Sequence, residues 1–393
     1  MKPVWLFFLI AMLIIAIIVP IVYFGNQTEN EAADDVFFFG VTYGSKTVNE
    51  AKLLIDKVNG YTNLFVVASW DISTNETALT EICQYAVDAN MSVIVYYDYV
   101  FFDVNPWRWL RTWFTTAKEK WGDQFLGIYL YDEPGGHQID SGQWHNGTSA
   151  KKAMENSSDY HDAANRYVTS IRSSLSMQNA RSTALPLFTS DYALYWFDYL
   201  AGYDTVFVEL GWNTSRTQQI ALCRGAANVQ GREWGAIITW TYYEPPYLET
   251  GPEIYSDMVT AYQAGAKYVV VFNYPTYPET NPYGILTEEH FSAMRQFWDH
   301  VHNYPQGTSG KIGGEVAFVL PKDYGWGTRR TQERIEDNIW GFWPEDENIQ
   351  VIGANMNKLM SKYGLALDII YDDPQFNYAE KYSQIYFWNS TIT

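Results

Sequence analysis

The sequence predicts a (β/α)8 TIM barrel followed by a small flavodoxin-like α/β domain, with an N-terminal transmembrane helix in front. Three observations carry the barrel. Eight strand-like runs alternate with helix-like runs between residues 36 and 303. The strand runs are near-continuously apolar, as parallel strands covered on both faces are. No glycine-rich phosphate loop follows the first run, which argues against an open doubly wound sheet.

VFFFGVTYG (36–44) reads as the first strand and TVNEAKLLIDKVNG (47–60) as an amphipathic helix ended by Gly60. TNLFVVASW (62–70) is the second strand, and a helix over 75–90 follows with Thr74 or Asn75 as its cap. MSVIVYYDYV (91–100) precedes a helix over 106–122 that carries Pro106 in its first turn. FLGIYLYDEPGG (125–136) is the fourth strand, stopped at once by Pro134, Gly135 and Gly136. A long polar connection leads to a helix at about 158–178. The remaining strands are ALPLFTSDY (184–192), DTVFVELGW (204–212), WGAIITWTYY (234–243) and KYVVVFNYP (267–275), with a helical segment after each.

The expected organisation is a signal anchor at 1–25, a tether at 26–35, the barrel at 36–304, a linker at 305–314 and the small α/β domain at 315–393. The uninterrupted apolar run from Val4 to Phe24 has about the length a bilayer needs. Lys2 before it, and Glu29, Glu31, Asp34 and Asp35 after it, put the bulk of the chain outside the cytoplasm. The exit lacks a small-residue cleavage pattern, so an uncleaved anchor is preferred to a cleaved signal. Seven N-x-S/T sequons, at Asn26, Asn75, Asn90, Asn146, Asn156, Asn213 and Asn389, suit an exported glycoprotein. Cys83 and Cys223 read as two buried thiols rather than a disulfide. A net charge of −19 argues against nucleic acid or anionic lipid as a partner. The 16 Trp and 31 Tyr divide between core packing and platforms for carbohydrate rings.

Barrel chemistry gathers at the C-terminal ends of strands. Those ends carry Trp70 with Asp71, Asp98, Asp132 with Glu133, Asp191, Glu209, Glu244, and Asn273 with Tyr274. No zinc spacing, H-E-x-x-H or G-x-S-x-G is present, and no cofactor or metal is called for. Carboxylates among aromatic rings suit glycoside chemistry, in which one acid protonates the leaving oxygen and a second attacks or activates water. Glu133 is the first candidate for the acid, with Asp132 beside it to raise its pKa. Glu244 and Glu209 compete for the second role. Asp132, Asp98 and Asp191 are candidate substrate hydrogen-bond groups. Trp70, Tyr131, Trp212, Trp240 and Tyr243 are candidate sugar platforms, with Asn273 as a further substrate contact.

IYLYDEP and ITWTYYE resemble the glycoside hydrolase clan that has a (β/α)8 barrel and catalytic Glu residues after strands 4 and 7. The resemblance covers roughly residues 36–303, and the trailing domain, with EVAFVLPKDYGWG and GLALDIIYDDP, is similar to the one after the barrel in β-galactosidase-like members. It implies Glu133 as acid/base, Glu244 as nucleophile with Glu209 able to displace it, and a retaining mechanism. The clan has Asn directly before the strand-four Glu; this chain has Asp132. The expectation is a membrane-anchored, extracytoplasmic hydrolase of an oligo- or polysaccharide. Its alternative is a non-catalytic glycan-binding or envelope protein on the same scaffold.

Overall fold

The computed structural model describes residues 36–97, 109–136, 157–242, 244–276, 280–305, 313–326 and 348–392. The anchor, the tether, Asp98 and Tyr243 lie outside the described residues. No helix among the described residues is long and apolar enough to cross a membrane.

Strands β1 (Phe38–Tyr43), β2 (Leu64–Val67), β3 (Ser92–Tyr97), β4 (Phe125–Leu130), β5 (Leu187–Asp191), β6 (Thr205–Leu210), β7 (Glu233–Ile238) and β8 (Tyr268–Val271) form a closed parallel barrel in chain order. The seam is β8 on β1, with Phe38 opposite Tyr268 and Val41 opposite Val271. Alternation along each strand sends one set of side chains into the barrel. Leu64, Val66, Ile94, Tyr129, Phe188, Phe207, Ile237, Tyr268 and Val270 fill that interior. Phe38 stacks on Tyr268 at 5.1 Å, and Phe188 meets the same ring edge-on at 5.5 Å. A barrel plugged by large rings is solid below, so open space is left only above this layer.

The helices around it are α1 (Val48–Val58), α2 (Trp70–Ser73), α3 (Glu76–Asp88), α4 (Trp109–Trp121), α5 (Tyr160–Arg172), α6 (Leu175–Arg181), α7 (Tyr195–Ala201), α8 (Arg216–Gln230), α9 (Gly251–Gln263) and α10 (Glu288–Asn303). Polar side chains set their starts. Thr47 accepts from the Glu50 amide and Asn75 from the Ala78 amide. Thr250 and Glu253 form a capping box. The single helix expected over 158–178 is two, because the Ser174 hydroxyl accepts from Met177 N and restarts the chain at Leu175. Strand two ends at Val67 rather than Trp70, where the Ser69 side chain caps α2. Strand seven ends at Ile238, well before Tyr243. Cys83 and Cys223 are buried free thiols, as expected.

The second layer is a three-stranded parallel sheet in the order β10–β9–β11, built from β9 (Val316–Leu320), β10 (Leu367–Tyr371) and β11 (Gln384–Phe387), with α11 (Asn348–Tyr363) between β9 and β10. Sheet and barrel pack as one compact unit, Phe38–Thr393. Helix α8 lies against β10 so closely that a Cβ on Gly225 would stand 2.6 Å from the Ile369 carbonyl oxygen. Beside it in the sequence, the fully buried Arg224 pairs with Asp368 at 2.7 Å. Its guanidinium also donates to the Leu367 carbonyl, and Asn228 and Tyr382 complete the other Asp368 oxygen at 3.0 Å each. A buried charge is tolerable only when its partners are complete, and here each carboxylate oxygen has one.

Candidate active site

Above the plugged interior, the next inward positions of the strands line a cavity of about 540 Å³. Thr42, Ala68, Tyr96, Ser190, Glu209, Thr239 and Phe272 each stand two residues beyond, or at the end of, an inward-facing set. Trp70 and Asp71 of α2 and the loop residues Asp132, Glu133, Trp212, Trp240, Asn273 and Tyr274 complete the walls. Of the twelve residues singled out from the sequence, seven are therefore at the cavity: Glu133, Glu209, Asp132, Trp70, Trp212, Trp240 and Asn273.

The carboxyl groups Asp132, Glu133 and Glu209 come from the ends of strands four and six, with Ser190 of strand five between them. Glu209 sits on β6, 4% exposed, and its Oε1 accepts the Ser190 hydroxyl at 2.6 Å. Its Oε2 is buried with no hydrogen-bond partner. Burial, and then the nearby Glu133 and Asp132 charges, push the Glu209 carboxyl well above the usual carboxylate range, with the Ser190 bond opposing them. The Tyr129 hydroxyl lies 2.8 Å from Asp132 Oδ1 and 2.6 Å from Ser190 Oγ, and accepts from the Ser190 amide at 3.0 Å. Burial, joined by Asp132 and Glu209, raises its pKa far enough to keep it a neutral donor. Asp132 is exposed at the rim and Glu133 half-buried. Tyr131 and Glu133 both take left-handed backbone, φ +60° and +50°, as does Trp212 at +48°. Non-glycine residues held there mark backbone that the surroundings over-determine, and such positions cluster at functional sites.

One wall is aromatic. Trp240 meets Phe272 at 5.8 Å and Tyr274 at 5.9 Å, while Phe272 and Tyr274 are parallel, 8° apart. Tyr274 and Trp70 are 38% and 46% exposed, large flat apolar faces open at the mouth. Asn273 is 3% exposed: its backbone N–H donates to Thr42 Oγ1 at 2.7 Å, and its side-chain Oδ1 accepts from Ile285 N.

Three expected residues stand elsewhere. Glu244 is exposed, six residues beyond the end of β7, and does not line the cavity. Its backbone carbonyl accepts from Tyr247 in a tight turn, so the strand expected to present it stops short. Asp191 follows the inward Ser190 and so points behind the sheet, fully buried. Tyr131 turns away and donates to Ser174 Oγ at 3.0 Å. Conversely, Tyr129, Ser190 and Phe272 join the site without standing out in the sequence. Counting by two from Phe188 and Val270 finds Ser190 and Phe272, and from Phe207 finds Glu209. No group of three or more His, Cys, Asp or Glu among the described residues is arranged to hold a metal ion.

No protein-family profile matches the sequence, and no curated protein matches it. Solved structures do share the fold. A β-galactosidase from Rahnella sp. R3 superposes with a TM-score of 0.57 at 11% identity, over 90% of this chain and 67% of that one. An endo-β-1,4-mannanase from Thermotoga petrophila gives 0.43 at 8% identity over 67% and 77% of the two chains. A xylanase from Thermobacillus composti gives 0.38 at 10% over 67% and 97%; these last two are too distant to bear on the argument. At such identity the likeness to the β-galactosidase is one of fold.

Proposed function

We propose that this chain is a glycoside hydrolase working with two carboxyl groups, Glu133 and Glu209, at the mouth of the barrel. The observation that carries the reading is Glu209 itself, which lines the cavity with a buried, unpartnered Oε2 and whose pKa is raised by burial and then by Glu133 and Asp132. A carboxyl group raised in pKa by burial suits the role of the acid. The deep, neutral Glu209 is the proton donor to the glycosidic oxygen. Glu133, nearer water and on a rigid turn, is the carboxylate that attacks the anomeric carbon or activates water. This reverses the role expected of Glu133 and puts Glu209 where Glu244 was expected. Trp240, Phe272 and Tyr274 offer faces against which the apolar side of a sugar ring can lie. The fold likeness to a β-galactosidase supports the same class. Four acids line the cavity with Lys46 as the single cation among the described lining residues, which disfavours uronates and sulfated sugars as substrates.

The test is turnover of a panel of neutral and anionic aryl glycosides by residues 36–393, with the anomer of the first-formed product read by NMR. Retention is the outcome implied by the clan resemblance; inversion would put a water between the two groups. Binding without turnover across the panel would leave the glycan-binding alternative. We also propose that the apolar run at 4–24 holds the barrel on the outer face of a membrane. Full-length protein should then stay in the membrane fraction through an alkaline wash, and release into the wash would rule that placement out.

A further inference from the structure

The turn that carries Glu133 has three backbone N–H groups, on Glu133, Gly135 and Gly136, because Pro134 has none. All three are taken by β5. Glu133 N donates to the Ser190 carbonyl at 3.0 Å. Gly135 N donates to Asp191 Oδ2, and Gly136 N to Asp191 Oδ1 at 2.8 Å. The same carboxylate also takes the amides of Tyr192 at 2.8 Å and Ala193 at 3.1 Å. Thr189 Oγ1 donates to the Tyr131 carbonyl at 3.0 Å on the other side of Glu133. Steric fit is as close as the bonding. A Cβ on Gly135 would stand 2.8 Å from Asp191 Oδ2, and one on Gly136 would fall within the Tyr192 ring.

We infer that Asp191 is a positioning residue of this site: its carboxylate, by holding Gly135 and Gly136 from behind the sheet, fixes the left-handed turn that faces Glu133 into the cavity. The inference rests on the reading of Glu133 as a reacting group. It goes beyond it in assigning a task to an acid that meets no substrate. Asp191 has a buried acid neighbour in Asp198, which accepts the Tyr167 hydroxyl and whose other oxygen has no partner. Burial, and then the Asp198 charge, push the Asp191 carboxyl well above the usual carboxylate range, with the Gly135 and Gly136 amides opposing them, and burial raises Asp198 to about 8. The clamp itself stands on geometry: four amides, those of Gly135, Gly136, Tyr192 and Ala193, converge on the two Asp191 oxygens.

Asp191→Asn separates this from a general structural role. An amide keeps one accepting oxygen for Gly136, Tyr192 and Ala193, but presents N–H to Gly135 N. Two measurements are made on the chain. Amide hydrogen exchange at Glu133, Gly135 and Gly136 should speed up roughly 10-fold or more, with the amides of α9 and α10 unchanged. On the p-nitrophenyl glycoside that the parent cleaves fastest, kcat should fall about 10²-fold with KM within roughly threefold, the effect of a misplaced reacting group. Exchange and kcat both at parent values overturn the inference, as does exchange that accelerates throughout the barrel with activity lost only in proportion to unfolded protein. If the parent cleaves no glycoside, the hydrolase reading fails alone and the exchange data still decide whether Asp191 is the clamp. If Asp191→Asn does not fold, Gly135→Ala presses on the same oxygen from the opposite side, and exchange and kcat in that variant support or overturn the clamp by the same outcomes.

Discussion

Two buried carboxyl groups with opposite surroundings set a structural position beside the proposed reactive one. Asp368, between barrel and second sheet, has Arg224 on one oxygen and Asn228 and Tyr382 on the other. Glu209, at the barrel mouth, has one hydroxyl on one oxygen and nothing on the other, with two further acids nearby. Both are acids on strands of a parallel sheet. The difference is completeness. A fully partnered ion pair returns the cost of leaving water and gains nothing from a ligand. An acid left with an open valence above a cavity keeps that cost until something enters.

The largest expected effect tests the reactive half of this contrast. Glu133→Gln and Glu209→Gln should each lower kcat on a glycoside with a poor leaving group by roughly 10²–10⁴-fold. Glu244→Gln should change it by less than about twofold, since that side chain is outside the cavity. A large loss at Glu244 with parent activity at Glu209 would return the second role to the strand-seven acid.

Next comes the holding half. Arg224→Met leaves Asp368 as an uncompensated buried charge, and stability should drop by about 3–5 kcal/mol in denaturant unfolding. The double variant Arg224→Met/Asp368→Leu should recover most of that loss. Turnover per folded molecule should be unaltered in both. A single variant as stable as the parent would mean that the pair is not the fastening between the two layers.

Holding and reacting regions also differ in how legible they are in the sequence. The barrel is legible because parallel strands covered on both faces must be apolar throughout, and eight such runs are hard to mistake. The turn at Pro134 is legible because DEPGG cannot continue a strand. Strand ends are not legible where aromatic residues run past them. Thr239 to Tyr243 has the composition of a strand, yet β7 ends at Ile238 and the chain turns, so composition alone carries Glu244 to a cavity it does not reach. Inward and outward cannot be told apart at Asp191 without one fixed inward reference such as Phe188; from there the count puts Ser190 in and Asp191 out. The Arg224–Asp368 pair joins residues 144 apart in sequence, and no local pattern announces such a contact.

A smaller effect should appear as a pH dependence of stability. Asp198 is raised by burial to about 8 in the folded chain, against about 3.9 for a free carboxyl group. The folded state therefore holds a proton that the unfolded state has lost between those values. Its contribution is complete below about pH 4 and disappears as pH rises through about 8. Unfolding free energy should decline, on the order of a few kcal/mol, across that window, with Glu209 adding to the same trend. Asp198→Asn should flatten the decline. A parent curve already flat from pH 4 to 8 would mean that the buried acids are ionised throughout.

The smallest expected effect is the one that separates the two carboxylates most cleanly. Glu209→Gln keeps shape and keeps an oxygen for the Ser190 hydroxyl. Burial and the Glu133 and Asp132 charges favour the neutral form of the native group, and Gln cannot ionise, so the repulsion that ionisation would bring at high pH is avoided. Stability at pH 7 should stay within about 1 kcal/mol of the parent and exceed it at alkaline pH, while activity is lost. The corresponding Asp368→Asn, which strands Arg224, should instead cost several times as much and leave turnover intact. If Glu209→Gln proves as damaging to the fold as Asp368→Asn, then Glu209 is an ionised fastening like its counterpart, and the open valence at the barrel mouth is not where the chemistry begins.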